Sequence, residues 1–330
     1  MGTLRMFKAA VVLITLGYCS LLVYQGSVNF NFIESRPGSV QAAFTLTTSE
    51  PVTDTKLQGS GQNKNITLDD IFISVKTSKH FHQTRLPHIL NSWYLLAKEQ
   101  TWFFTDGDND TLKKLTNGHL INTNCSDTHQ RAHLCCKTSV EYDWFLQSGK
   151  KWWCHFDDDN YVNVPRLLTK LQEFDPQEDW YLGRISVDKP VTLFILPKET
   201  KKKPSLKGSL WFGTFGAGVC ISKSLALKMV PLASGGKFIS MCNSIKLPDD
   251  ITMGYLISHL LGVNMVVVRE FHSHLEQMKL LPLKILRDQI SFGYSTNNVL
   301  NVPGFDETYD PTRFLSLHCF LYPHFEFCPR

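Results

Sequence analysis

Three consecutive carboxylates, Asp157, Asp158 and Asp159, follow directly on the aromatic run Trp152-Trp153-Cys154-His155-Phe156. Such a run reads as a buried strand, which brings all three acids to the point where the chain leaves a sheet. Like charges so close repel and raise one another's pKa unless a cation shares them. Mn²⁺ and Mg²⁺ take carboxylate oxygens and accept water or phosphate in the remaining positions. Taken alone, an acidic triplet reads as a solvated turn. The strand before it favours a site for a metal and a diphosphate. Two further groups belong with the triplet. Leu247-Pro248-Asp249-Asp250 sets a carboxylate pair at a helix start, where Asp249 suits the cap and Asp250 is free to act as a base toward a substrate hydroxyl. Phe271-His272-Ser273-His274 follows the last strand, and two histidines flanking a serine there suggest a metal ligand.

Those groups need a sheet to bring them together. Strand-like runs occur at 71–75, 101–104, 152–156, 180–182, 211–222 and 263–268, and helix-like runs at 86–98, 136–147, 165–174 and 249–261. The alternation predicts a Rossmann-like α/β sheet, which binds ligands outside the carboxyl ends of its strands. No Gly-x-Gly-x-x-Gly follows the first strand and there is no Walker loop, so the sequence does not support NAD and ATP sites of those types.

Upstream of the sheet, Ala9 to Tyr24 is apolar apart from Thr15 and Ser20. Arg5 and Lys8 precede it, and no charge follows until Glu34. This predicts a cytoplasmic tail over residues 1–8 and an uncleaved signal anchor over 9–27. A polar stretch without apolar period, 28–68, reads as a flexible stem, and 69–330 as one lumenal domain. Net charge is +4. The one dense basic run, Lys198 to Lys207, lacks interleaved aromatics or a recognisable module, so it reads as a surface loop and not as a nucleic-acid patch. Eight of the nine cysteines lie beyond the anchor and none forms Cys-x-x-Cys, which points to structural disulfides in an oxidising lumen. Asn65, Asn109 and Asn124 head N-glycosylation triplets.

Read in order, Phe103-Phe104-Thr105-Asp106, Ile121-Asn122-Thr123-Asn124-Cys125-Ser126, the run 153–163, Leu247-Pro248-Asp249-Asp250, Phe271-His272-Ser273-His274-Leu275-Glu276 and Asp310-Pro311-Thr312-Arg313-Phe314 resemble the motifs of the fringe glycosyltransferases. They span nearly all of Ile71 to Cys328. The resemblance implies a GT-A type fold, Mn²⁺ and UDP-N-acetylglucosamine, and a single-pass type II Golgi membrane protein. It implies β-1,3 transfer of N-acetylglucosamine to O-linked fucose on EGF-like repeats of Notch receptors and their ligands, modulating Notch signalling. By the same resemblance Asp159 and His274 ligate the metal, Arg85 and Asp158 contact the donor, and Asp250 is the catalytic base. The implied disulfides are Cys125–Cys136, Cys154–Cys220 and Cys319–Cys328, with Cys135 and Cys242 unassigned. Phe215 before Gly216-Ala217-Gly218, Ile251 after the carboxylate pair and Leu232 after Pro231 depart from the family pattern. Two other readings share the motifs: a lumenal β-1,3-glycosyltransferase using another UDP-sugar, and a catalytically silent Notch-binding relative, which Phe215 keeps open by narrowing the donor pocket.

Overall fold

The computed structural model describes residues 32–34, 66–128, 130–196 and 205–329. The tail, the anchor, nearly all of the stem, Asn65 and the Lys201-Lys202-Lys203 run lie outside them. Among the described residues no helix is long and apolar enough to cross a membrane.

The chain divides into two units, Met1–Ala43 with Thr192–Gly208, and Phe44–Val191 with Ser209–Arg330. The smaller is built on a three-stranded sheet in which Phe32–Glu34 pairs in parallel with Val191–Leu196, itself beside Ser205–Leu210. A strand at Phe32–Glu34 departs from the structureless stem read there, because no apolar period announces so short a pairing.

The larger unit is an α/β layer structure around a seven-stranded mixed sheet. Its strands are β1 (Ile71–Lys76), β2 (Thr101–Thr105), β3 (Leu120–Asn122), β4 (Trp152–Asp157), β6 (Tyr181–Gly183), β7 (Val219–Ser222) and β8 (Val266–Val267). A separate β5 (Asn160–Val162) pairs antiparallel with β9 (Ser291–Gly293). The main order is β8-β6-β7-β4-β1-β2-β3. Strands β4, β1, β2 and β3 run parallel, whereas β7 opposes both β4 and β6.

Alternate side chains of β1 and β4 go to opposite faces. Ile71, Ile73, Val75, Trp152, Cys154 and Phe156 join one apolar core, and Phe72 and Trp153 the other. Both faces are covered, and β1 is buried along its whole length. On the second face the register sets Ser74 against His155 and Lys76 against Asp157. The Arg131–Ser148 helix covers that face and ends at Gly149, whose φ of 71° suits a residue without Cβ.

Several elements differ from their sequence pattern. The helix expected over 86–98 is Leu86–Leu90 followed by a separate 3₁₀ turn at Trp93–Leu96. Between them the Ser92 hydroxyl donates to the His88 carbonyl at 2.5 Å, a local bond that competes with the helical ladder. In 211–222 only Val219–Ser222 is strand; a 3₁₀ turn occupies Phe215–Ala217 and Gly218 has φ 98°. The last sheet strand shortens to Val266–Val267. Helices Lys223–Ala233 and Lys237–Ile245 and strand β3 have no counterpart in the pattern.

Disulfides join Cys125 to Cys136, Cys154 to Cys220 and Cys319 to Cys328. A further bridge, Cys135–Cys242, ties the Arg131–Ser148 helix to Lys237–Ile245. Cys154 and Cys220 bond because they are register partners on β4 and β7.

Candidate active site

Both β1 and β4 end in a charged residue on the same face, and Lys76 is the hub. Its ammonium lies 3.1 Å from Asp157 Oδ1 and 2.9 Å from Asp249 Oδ2. Burial opposes that charge, but Asp157, Asp249 and Glu141 more than offset it and hold Lys76 above its ordinary range. Burial would likewise raise Asp157, yet Lys76 and His155 keep it well below the usual carboxylate range. Behind them, Glu141 Oε2 accepts from Ser74 Oγ at 2.7 Å and faces His155 Nδ1 at 2.5 Å. The alternate positions of β1 and β4 thus form a buried polar file across two strands.

Asp249 does not cap its helix as the sequence pattern suggests. It accepts from Lys76 and from Thr138 Oγ1 at 2.8 Å, which pins the Asp249–Gly254 helix start to the strand ends. Asp250 beside it is partly buried and accepts the Ile251 N–H at 2.8 Å. Burial, then the Asp249 charge, push its carboxyl up to about 7. An acid titrating near neutrality is matched to taking up a proton.

The other two carboxylates of the triplet have different partners. Asp158 receives Arg85 Nη1 at 2.6 Å and Thr77 Oγ1 at 2.7 Å. Arg85 is also 3.6 Å from Asp159 and lies 3.9 Å over the Phe81 ring, with its side chain 30% exposed. Asp159 Oδ2 lies 3.5 Å from His274 Nδ1. Asp159 Oδ1 and His274 Nδ1 are both buried without a hydrogen-bond partner among the described residues. Burial and the Asp157 and Asp158 charges raise Asp159 well above its ordinary value. Two unsatisfied ligand atoms beside a crowded carboxylate fit a cation, which would relieve both the repulsion and the missing bonds. Among the described residues no group of three or more His, Cys, Asp or Glu is placed to hold a metal. An ion held by this pair would need its remaining ligands from other oxygen donors.

The loop carrying His274 is held by neighbours that sequence reading overlooks. Asn298 Nδ2 donates to the His274 carbonyl at 2.7 Å. A Cβ on Gly293 would lie 2.4 Å from the His274 nitrogen, and one on Gly216 3.6 Å from His274 Cε1. His272 is not a second ligand. Its ring is buried between Glu276 Oε2 at 3.0 Å and Gln289 Oε1 at 2.9 Å, where it braces the turn.

Phe215 is 2% exposed, with its ring 4.3 Å from that of His155 and 5.0 Å from the Lys76 ammonium. It floors the polar file. Lys76, Thr77, Glu141 and Asn298 are the site residues missed in the sequence. The available signal was a polar side chain at every second position late in two apolar strands, Ser74 and Lys76, His155 and Asp157. Asn124 is exposed, and Asn109 caps the Asp110–Leu115 helix.

Comparison with known proteins identifies the family. Residues 66–325 match the Fringe-like family. The fringe glycosyltransferase of Drosophila melanogaster is 52% identical over 293 residues, covering 88% of this chain and 68% of that one. The β-1,3-N-acetylglucosaminyltransferase lunatic fringe of Danio rerio is 45% identical over 271 residues, 81% and 72% of the two chains. The β-1,3-N-acetylglucosaminyltransferase radical fringe of Gallus gallus is 46% identical over 276 residues, 82% and 74% of the two chains.

Proposed function

Because this chain belongs to the Fringe-like family of glycosyltransferases, we propose that it transfers N-acetylglucosamine from UDP-N-acetylglucosamine, in β-1,3 linkage, to O-linked fucose on EGF-like repeats. Notch receptors and their ligands are the acceptors in this reading, and modulation of Notch signalling is the outcome. The fold is of GT-A type and the site works in the Golgi lumen, with residues 9–27 as a type II anchor. The observation that supports the reading is the meeting of Asp159 and His274, both with unpartnered atoms, beside the Arg85–Asp158 pair.

Asp159 and His274 would hold Mn²⁺, which neutralises charge on a diphosphate leaving group. Arg85, fixed by Asp158 and stacked on Phe81, orients the nucleotide sugar. Asp250 takes the proton from the fucose 3-hydroxyl as that oxygen bonds to the anomeric carbon. The bond from that carbon to the UDP oxygen breaks on the opposite face, so one displacement inverts the configuration and no enzyme nucleophile is needed. Asp250 then returns its proton to solvent.

The test is transfer of labelled N-acetylglucosamine to an O-fucosylated EGF repeat, with and without Mn²⁺, for the native enzyme and Asp250→Asn. Transfer that needs Mn²⁺ and vanishes in Asp250→Asn, with UDP binding intact, is the expected result. Full transfer by the variant removes Asp250 from the role, and a preference for another UDP-sugar overturns the donor assignment.

A further inference from the structure

Away from the carboxylates, a cavity of about 350 Å³ opens between the segment 82–98 and the Asp110–Leu115 helix. Its walls include Tyr94, Leu95 and Lys98 on one side, and Leu112 and Leu115 on the other. Both the Asn and the Thr of the triplet Asn109-Asp110-Thr111 also line it. Tyr94 is 3% exposed and its phenol oxygen is buried with no hydrogen-bond partner among the described residues. Buried hydroxyls in native proteins are nearly always satisfied, so an unpaired one in the cavity wall is unusual. Leu115 stands 62% exposed beside it, a large apolar side chain left open to water. Asn109 meets the Leu112 N–H through Oδ1, and among the described residues its Nδ2 makes no hydrogen bond. That nitrogen is the atom to which an N-linked glycan attaches.

We propose that Asn109 carries an N-linked glycan whose first N-acetylglucosamine packs into this cavity. A pyranose has an apolar ring face that suits Leu112 and Leu115, and hydroxyl and acetamide groups that suit Tyr94 and Lys98. The volume lies at the small-ligand end of the range for binding pockets. Tethering at the rim makes binding intramolecular, so a modest contact is fully populated. Capping through Oδ1 is retained, because glycosylation modifies only the nitrogen. The sugar becomes part of the packing of the Asp110–Leu115 helix.

The inference rests on the lumenal address, and the experiment separates the two. Full-length protein is made in eukaryotic cells restricted to high-mannose glycans, and site occupancy is read by peptide mass spectrometry. Occupancy at Asn109 is expected. An unmodified Asn109 beside a modified Asn124 overturns the inference and leaves the address standing; neither site modified overturns both. Melting temperature is then compared for the intact protein, protein trimmed by an endoglycosidase to one sugar, and protein stripped by an amidase. The trimmed form should melt with the intact one and the stripped form roughly 2–4 °C lower. In Thr111→Ala, which abolishes the triplet and keeps the cap, the gap between trimmed and stripped forms should vanish, whereas in Thr111→Ser it should remain. Tyr94→Phe should lower the melting temperature only where the sugar is present. A trimmed form that melts with the stripped one, or a gap that persists in Thr111→Ala, overturns the inference.

Discussion

Asp250 and Asp249 are neighbours with unlike duties, and the difference lies in which of them holds Lys76. Asp249 is bonded to the ammonium and to Thr138, while Asp250 keeps a carboxyl that titrates at about 7. A base works only when deprotonated, so kcat/KM should climb with pH through about 7 and level off above it, a limb that a pH–rate profile of the native enzyme checks. Lys76 holds that value down, so in Lys76→Met the limb should move to higher pH. The same change strands Asp157 and Asp249 without their cation, and a broken buried pair costs about 3–5 kcal/mol, measurable by denaturant unfolding. Sign matters for Asp157 too. Its value is depressed by folding, so the stability it contributes is complete above its unfolded value of about 4 and fades as acid titrates it below that. The acidic triplet and the histidine pair stood out in the sequence because each follows an apolar strand, and the separate roles of Asp158, Asp159 and His274 came from the family resemblance alone. Lys76 did not stand out, because a lysine closing an apolar strand looks like a solvated end until the partner strand's Asp157 is known to lie beside it.

At the scale of elements, the site depends on backbone segments that approach too closely for side chains. Strand β9 runs against the turn at Ser273 and His274, with room for only a hydrogen at Gly293. Gly293→Ala should push that turn away, displace His274 and weaken Mn²⁺ binding by roughly 10–100-fold, the usual effect of disturbing a ligand's support. Titration of the metal in the presence of UDP is the measurement, and an unchanged affinity would show that the turn yields without moving the ring. The central strands were plain in the sequence since runs buried on both faces are apolar throughout. Boundaries were harder. Ser92 breaks a helix whose apolar pattern continues past it, through a hydroxyl bond that periodicity cannot register. Val263-Asn264-Met265 continues the strand pattern, yet the register with β6 begins only at Val266, opposite Leu182, and ends at Val267, opposite Gly183.

For the molecule as a whole, alternation of strand and helix patterns foretold an α/β sheet, though not the antiparallel β7 inserted between β4 and β6. That strand hides behind glycines and a 3₁₀ turn. The disulfides tie distant parts of this fold unequally. Cys135–Cys242 encloses a sequence separation of 107 residues and Cys319–Cys328 one of 9. Loop-closure entropy grows with the logarithm of that span, so removing the first by paired Ala substitutions should destabilise by about 2 kcal/mol more than removing the second. Chemical denaturation of the two double variants decides it. Because Cys135 and Cys136 are adjacent on one helix and bond to different segments, exchanging their partners is an error of a single residue. Such a molecule has the same eight cysteines oxidised, and so the same count of free sulfhydryls, while its helix is turned the wrong way. Correct maturation thus calls for repeated reshuffling by a thiol catalyst, and yield from oxidative renaturation should follow the supply of that isomerase and not that of the oxidant.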